Sequence, residues 1–311
     1  MQKIIVILGP TASGKTKLAV QIARLFKGEI VSADSRQVYK GMDIGTGKDL
    51  IEYGSGKNKV NYHVIDVVKP SEQFDLKRYQ TKAYEAIDKI LKKNKLPILV
   101  GGSGLYLQAV VDGYQLSDKK PVSSLPRNLS LQALQERISS IDPKFLQRLN
   151  TSDLKNKRRL ERYLDIMEQS IETHSDFHGQ SKPRYQSLIL GLESSLLGIR
   201  KNVKKRLEER LEEGMIEEVQ KLHKNGVSWE RLISFGLEYK YIALYLKKEI
   251  SRKEMEERIN ITSGQFAKRQ MTWFKRWEKQ GREIIWVKVK NIKKITKLIS
   301  DFLKDNKEHV C

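Results

Sequence analysis

The segment GPTASGKT, Gly9 to Thr16, follows the apolar run Ile4-Ile5-Val6-Ile7-Leu8 and precedes a helix-like stretch, Lys17 to Phe26. It is a complete G-x-x-x-x-G-K-T pattern between a buried strand and a helix, the setting in which that pattern has a physical meaning. Two glycines let the backbone wrap closely enough for its N–H groups to converge on an anion, and the helix beyond adds its positive dipole end. Gly9, Pro10, Thr11, Ala12, Ser13, Gly14, Lys15 and Thr16 are therefore expected to hold a phosphate or diphosphate. Lys15 supplies a cation, and the Thr16 hydroxyl suits a Mg²⁺ ion.

The rest of the first third alternates strand and helix. A second strand is expected over Glu29–Ala33, and a third apolar run spans Tyr62–Val68. Ser71 is read as the N-cap of a helix over Asp75–Leu91, with Ala83, Ile87 and Leu91 on one face. A short buried strand, Leu96–Val100, ends in Gly101-Gly102-Ser103-Gly104. This is the βαβ grammar of a parallel sheet covered on both faces, an α/β fold of P-loop NTPase-like type.

After Gly113 the texture changes. Residues 117–130 carry Pro121, Pro126 and serines and read as loop, Leu131–Ser170 reads as polar helix, and 174–186 reads as loop again. Leu188–Leu192 then returns to the sheet. The expected organisation is a catalytic domain, 1–113 plus 187–311, carrying a helical insertion at 114–186 and a helical C-terminal part. There, Val203, Leu207, Leu211, Val219 and Leu222 form one stripe, and Ser251 with Glu254 forms a capping box.

Composition narrows the partners. The 311 residues carry a net charge of +21, a surplus that favours a polyanion, because Lys and Arg contacts release counterions from a phosphate backbone. The charge clusters at Lys155 to Arg162 and again at Lys268, Arg269, Lys275 and Arg276. The last four flank an apolar stripe of Met255, Ile259, Phe266, Trp273 and Trp277, read as core. No apolar run reaches about 18 residues, so no membrane span is expected. With no cleavable leader pattern either, the expected compartment is the cytoplasm. A single cysteine, Cys311, leaves no disulfide or cysteine zinc site, and five scattered histidines show no metal-ligand spacing.

In an open α/β sheet, residues beyond the carboxyl ends of strands line the ligand crevice. Asp34, in the run Ser32-Ala33-Asp34-Ser35-Arg36-Gln37, should stand beside the phosphate loop as a metal-water ligand or general base. Ser103 should face the same crevice, its hydroxyl free for a leaving-group oxygen.

Together GPTASGKT, Ser32 to Lys48 (SADSRQVYKGMDIGTGK), Pro97 to Leu107 (PILVGGSGLYL) and Phe266 to Phe274 (FAKRQMTWF) resemble the tRNA dimethylallyltransferases, or isopentenyltransferases. Four ordered motifs over nearly the whole chain make the likeness specific. It implies transfer of a dimethylallyl group from dimethylallyl diphosphate to the exocyclic amine of the adenosine 3′ to a tRNA anticodon; Mg²⁺ is expected from the Thr16 hydroxyl, and a monomer is expected because no sequence feature suggests more. It also implies that the insertion grips the anticodon stem-loop. By the same likeness Asp34 is the general base and Ser103 meets the diphosphate's bridging oxygen. Asp34, Ser35, Arg36, Gln37 and Ser103 would hold the target nucleotide. Arg127, Arg158, Arg159, Arg162, Lys268, Arg269 and Gln270 would hold the RNA. The family's usual threonine is Ser103 here, its threonine–arginine pair is Ser263-Gly264, and its GYKE motif reads as Phe235 to Lys240. Since phosphate loops mostly bind nucleoside triphosphates, a small-molecule or nucleotide kinase using ATP is the alternative, and a non-catalytic RNA-binding NTPase a third.

Overall fold

β1 (Lys3–Leu8) is apolar and buried from Ile4 onward because both of its faces are covered. Ile4, Val6 and Leu8 point into one core, and Ile5 and Ile7 into another on the opposite face. A computed structural model of the chain describes residues 1–116, 129–149, 151–171 and 182–305. Arg127 lies outside them, as do most of the loops read at 117–130 and 174–186.

The other strands are β2 (Gly28–Ser32), β3 (Tyr62–His63), β4 (Leu96–Gly101), β5 (Gln186–Leu192) and β6 (Ile285–Val287). The sheet order is β3-β2-β4-β1-β5-β6, and every neighbouring pair is parallel. Three early helices cross over it: α1 (Lys15–Leu25), α2 (Leu76–Lys92) and α3 (Gly104–Val111). β1 lies inside the sheet between β4 and β5, so the connections from its two flanks run in opposite directions. That reversal opens a crevice at the carboxyl ends of the strands.

The chain divides into two units, Met1–Gly113 with Pro183–Cys311, and Tyr114–Lys182. The second crossing falls earlier than the 186/187 boundary read from sequence, since the strand itself begins at Gln186. The smaller unit comprises α4 (Leu131–Ile141), α5 (Pro143–Arg148), α6 (Thr151–Leu154) and α7 (Lys157–Ile171). Leu134, Ile138, Leu160, Leu164 and Met167 form its own core. In the larger unit follow α8 (Leu196–Glu212), α9 (Met215–Lys224), α10 (Trp229–Ser234), α11 (Leu237–Leu246), α12 (Arg252–Lys279) and α13 (Ile292–Lys304). No helix among the described residues is long and apolar enough to cross a membrane.

Several local expectations change. Asp75, not Ser71, caps α2, its Oδ1 accepting from the Arg78 N–H at 2.8 Å. The run Tyr62–Val68 forms a strand only through its first two residues, because Val64 and Asp66 adopt positive φ and turn the chain, and Val68 then makes an isolated bridge to Tyr39. The buried stripe of α12 is Met255, Ile259, Ser263, Ala267, Gln270, Phe274 and Trp277; Trp273 packs against the same core partly buried, and Phe266 is not among the core residues. Ser251 caps α12 as expected, accepting from the Glu254 N–H at 3.2 Å.

At the amino end of β2, away from the crevice, Glu29 is 1% exposed and anchors the strand to its neighbours. Its carboxylate receives Lys95 Nζ at 2.8 Å, Asn61 Nδ2 at 3.1 Å and Lys93 Nζ at 3.3 Å, with His63 Nε2 at 2.7 Å. Burial alone would raise this pKa. The hydrogen bonds from Lys95, His63, Asn61 and Lys93 outweigh it and lower the carboxyl from 4.5 to about 2. A depressed carboxylate pKa stabilises the fold above the unfolded value and loses that contribution as pH falls through the folded one. Thermal melts should therefore show Glu29→Gln below wild type by a constant gap at neutral pH. The gap should close between about pH 4.5 and 2; one that persists unchanged to pH 2 would contradict this role.

Candidate active site

The loop Gly9–Thr16 leaves β1 and enters α1 through Gly14 at φ +85°. Ser13 Oγ packs against Gly9 and has no hydrogen-bond partner among the described residues. Lys15 Nζ donates to Pro10 O at 2.7 Å. Burial lowers the Lys15 pKa from 10.5 to about 8, with Asp34 opposing the fall and Arg206 adding to it. The loop thus carries a cation whose charge is poorly solvated and is favoured by an incoming anion.

Asp34 follows β2, one strand removed from β1 across β4. Its Oδ1 accepts from the Arg36 N–H at 2.9 Å, which fixes the carboxylate in a turn. Ser103, at the end of β4, takes the Ser35 N–H on its Oγ at 3.1 Å. Its own hydroxyl proton faces only a long 3.4 Å contact with Ser35 Oγ. The two turns lie so close that a Cβ on Gly101 would fall 2.1 Å from Ala33 O. Glycine is required there by contact rather than by torsion.

A third connection comes from far along the chain. Gln270, 6% exposed on α12, accepts the Thr11 N–H at 2.8 Å and donates to Gly102 O at 2.9 Å. One amide stitches the phosphate loop to the glycine turn. Gln270, expected to serve RNA, has both ends of its amide engaged inside the protein while lining the cleft. Arg36 and Gln37 are likewise engaged. Arg36 Nη1 pairs with Glu238 Oε2 at 2.6 Å, and Gln37 bridges Ser32 Oγ (3.0 Å) and Gly47 O (2.9 Å). Burial would raise the Glu238 pKa, but Arg36 and Arg210 lower it. Ser35 alone of this run is exposed.

Thr11, Arg36, Gln37, Gly102 and Gln270 line a cleft of about 840 Å³ together with Thr16, Lys15 and Asp34, whereas Ser35, Ser103 and Glu238 are not among its lining residues. Its remaining wall is one the sequence reading missed. Asn202, Arg206 and Arg210 on α8 face it at a spacing of four residues. Asn202 Nδ2 donates to Ala12 O at 3.1 Å, and Arg206 Nη2 pairs with Asp49 Oδ2 at 2.9 Å. The i, i+4 repeat was visible in the sequence, but the apolar stripe one residue along drew the reading of this helix. Phe266, read as core, also lines the cleft, its ring 5.8 Å from the Arg36 guanidinium.

The remaining basic residues stand elsewhere. Lys268 and Arg269 are exposed on α12. Arg158, Arg159 and Arg162 are exposed on α7 of the smaller unit, where Arg159 pairs with Asp153. Among the described residues no group of three His, Cys, Asp or Glu side chains could hold a metal alone.

A phosphate loop facing a carboxylate, with arginines along the third wall, defines a P-loop-type enzyme of a phosphorylated substrate. The comparisons carry this further. The IPP transferase family model matches residues 37–277. The tRNA dimethylallyltransferase 1 of Syntrophus aciditrophicus is 46% identical over 294 residues, covering 92% of this chain and 94% of that one. That of Geotalea daltonii is 44% identical over 287 residues, covering 91% and 90%. The crystal structure of the tRNA isopentenylpyrophosphate transferase of Bacillus halodurans superposes with a TM-score of 0.71 at 30% identity, covering 98% of each chain. A eukaryotic dimethylallyltransferase captured acting on tRNA shares the fold, with a TM-score of 0.78 at 23% identity over 99% of this chain and 82% of that one. This chain belongs to the tRNA dimethylallyltransferase (IPP transferase) family, and the kinase alternative is not favoured.

Removing the Gln270 amide strands a backbone donor and a backbone acceptor. Gln270→Leu should cost about 1–3 kcal/mol in urea unfolding. An unchanged midpoint and slope would show that the stitch contributes nothing.

Proposed function

We propose that this chain transfers the dimethylallyl group of dimethylallyl diphosphate to N6 of the adenosine 3′-adjacent to the anticodon in tRNA, releasing diphosphate. The observation that carries the reading is the placement of Asp34 and the phosphate loop in one cleft, at the carboxyl ends of β2 and β1 with β4 between them. The names of the curated relatives support it.

The N6 lone pair attacks C1 of the dimethylallyl group as the C1–O bond to diphosphate breaks. The adenine amine is a weak nucleophile and an even weaker acid, so its proton must leave as the C–N bond forms. Asp34, held in its turn by the Arg36 N–H, accepts that proton after first orienting the amine. Negative charge builds on the departing oxygens, where the loop amides and Lys15 meet it. Ser103 accepts the Ser35 N–H on its oxygen, and its proton, held only by the long contact to Ser35 Oγ, can be given to the bridging oxygen. The target base must leave its stack, a cost of a few kcal/mol that RNA contacts offset. Arg158, Arg162, Lys268 and Arg269 are exposed cations suited to that task. Arg127, in the same reading, lies outside the described residues.

Mg²⁺ fits the donor set. The Thr16 hydroxyl lines the cleft, and among the described residues no cluster of carboxylates stands there as a metal cage. This ion commonly takes one or two protein oxygens and completes its shell with substrate phosphates and water. Bound there it would neutralise charge on the diphosphate. The reading carries with it a monomer working on tRNA in the cytoplasm.

The direct assay supplies Mg²⁺, unmodified tRNA and either labelled dimethylallyl diphosphate or labelled ATP. Label should move to RNA from the first only, and transfer from ATP alone would overturn the reading. Asp34→Ala should lower turnover about 10²-fold or more while holding anticodon stem-loop affinity within about threefold. Undiminished turnover would remove Asp34 from the chemistry. The Lys15 cation exists below its pKa of about 8 and is lost above it. The ratio of pyrophosphate affinities, wild type over Lys15→Met, should be constant below about pH 8 and fall toward one above it. A ratio independent of pH to 10 would show that Lys15 charge is not what binds.

A further inference from the structure

α8 carries a cation that the reaction as derived does not use. Arg210 stands one turn beyond Arg206, its side chain 12% exposed, and lines the same cleft. Its Nη2 is shielded by protein yet has no hydrogen-bond partner among the described residues. The acids nearby are committed to other cations. Asp49 Oδ2 takes Arg206 at 2.9 Å, while its Oδ1 stands 3.8 Å from Arg210, beyond hydrogen-bond reach. Glu238 takes Arg36 at 2.6 Å.

The neighbouring loop is shaped around this guanidinium. Gly47 has φ +61°, and a Cβ there would fall 1.6 Å from Arg210 Nη2 and 2.7 Å from Arg206 Nη2. Two guanidinium groups therefore converge on one bare backbone position. Burial and the Arg206 charge both lower the Arg210 pKa, yet an arginine stays charged. Like charges side by side and a shielded donor without an acceptor both cost free energy, and an oxyanion between them relieves both costs. Gly47 leaves room for the guanidinium to turn toward the cleft.

We propose that Arg206 and Arg210 form a two-arginine phosphoryl-binding fork beyond Lys15, in which Arg210 donates to a phosphoryl oxygen of the bound substrate. The proposal rests on the reading that the cleft takes a diphosphate and an RNA nucleotide. The phosphoryl group is either the far end of the diphosphate or the phosphate of the nucleotide drawn into the cleft. Planar, bidentate donors suit either one.

The test titrates wild type and Arg210→Met with inorganic pyrophosphate and Mg²⁺ by calorimetry, and with an anticodon stem-loop RNA by fluorescence anisotropy. Folding is checked by thermal melts. One affinity should fall about tenfold or more in the variant. Weakened pyrophosphate binding assigns the fork to the leaving group. Weakened RNA binding with a shallower salt dependence assigns it to the nucleotide's phosphate. Gly47→Ala, which displaces the guanidinium, should show the same defect and add none in the Arg210→Met background. Should the methionine variant fail to fold, Arg210→Gln replaces it with the same expectation. A folded variant with both affinities within about twofold of wild type overturns the fork and leaves the cleft assignment intact. Failure of the wild type to bind either probe overturns that assignment and the fork with it.

Discussion

Leu8, Ser32 and Gly101 end three hydrogen-bonded parallel strands at one level, and the cleft depends on that register. Because β2, β4 and β1 are neighbours in that order, the phosphate loop, the Asp34 turn and the glycine turn emerge side by side. Parallel pairing needs long crossovers, so residues distant in sequence meet here without any local signal. The Gln270 amide then holds two of the three loops together from the far end of the chain. Packing of α12 is thereby coupled to the shape of the phosphate site. The residues that place Gln270, such as Phe274 and Trp277, serve the cleft without touching it.

Charge in the cleft is arranged in pairs rather than as a single positive field. Asp34 stands near Lys15 and Arg36, Asp49 near Arg206, and Glu238 between Arg36 and Arg210. Such pairing fixes long side chains in place at low solvent exposure, which suits preorganised electrostatic stabilisation. It also means that most of the basic residues here are already spoken for. The chain's large surplus of positive charge therefore lies mostly outside the cleft, on surfaces such as the outer face of α12.

The fold was legible where a pattern is local and complete. The phosphate loop, the buried strands β1 and β4, the helical excursion after Gly113 and the Ser251 cap all have contiguous signatures. Asp34 and Ser103 could be placed because strand ends face one way in a parallel sheet. What escaped was the tertiary part. Gln270 looked like a surface residue of a basic motif, because nothing in its neighbourhood tells that Thr11 and Gly102 await it. Arg206 and Arg210 were hidden behind the apolar stripe of their own helix. Short β6 and helix α13 carry no start signal strong enough to be seen, and Val64 and Asp66 turn the chain with side chains that do not advertise positive φ.

The bond from Thr11 to Gln270 removes one amide from the phosphate loop before any ligand arrives. Pro10 has none to offer, so the donors left to an oxyanion begin at Ala12. Pro10 contributes instead its carbonyl, which holds the Lys15 ammonium. The first half of the motif thus works as a hinge pin for the lysine and the second half as the cradle. The ammonium has three donors and spends one on that carbonyl, so Lys15 is already positioned when an anion arrives and keeps its anchor while binding it.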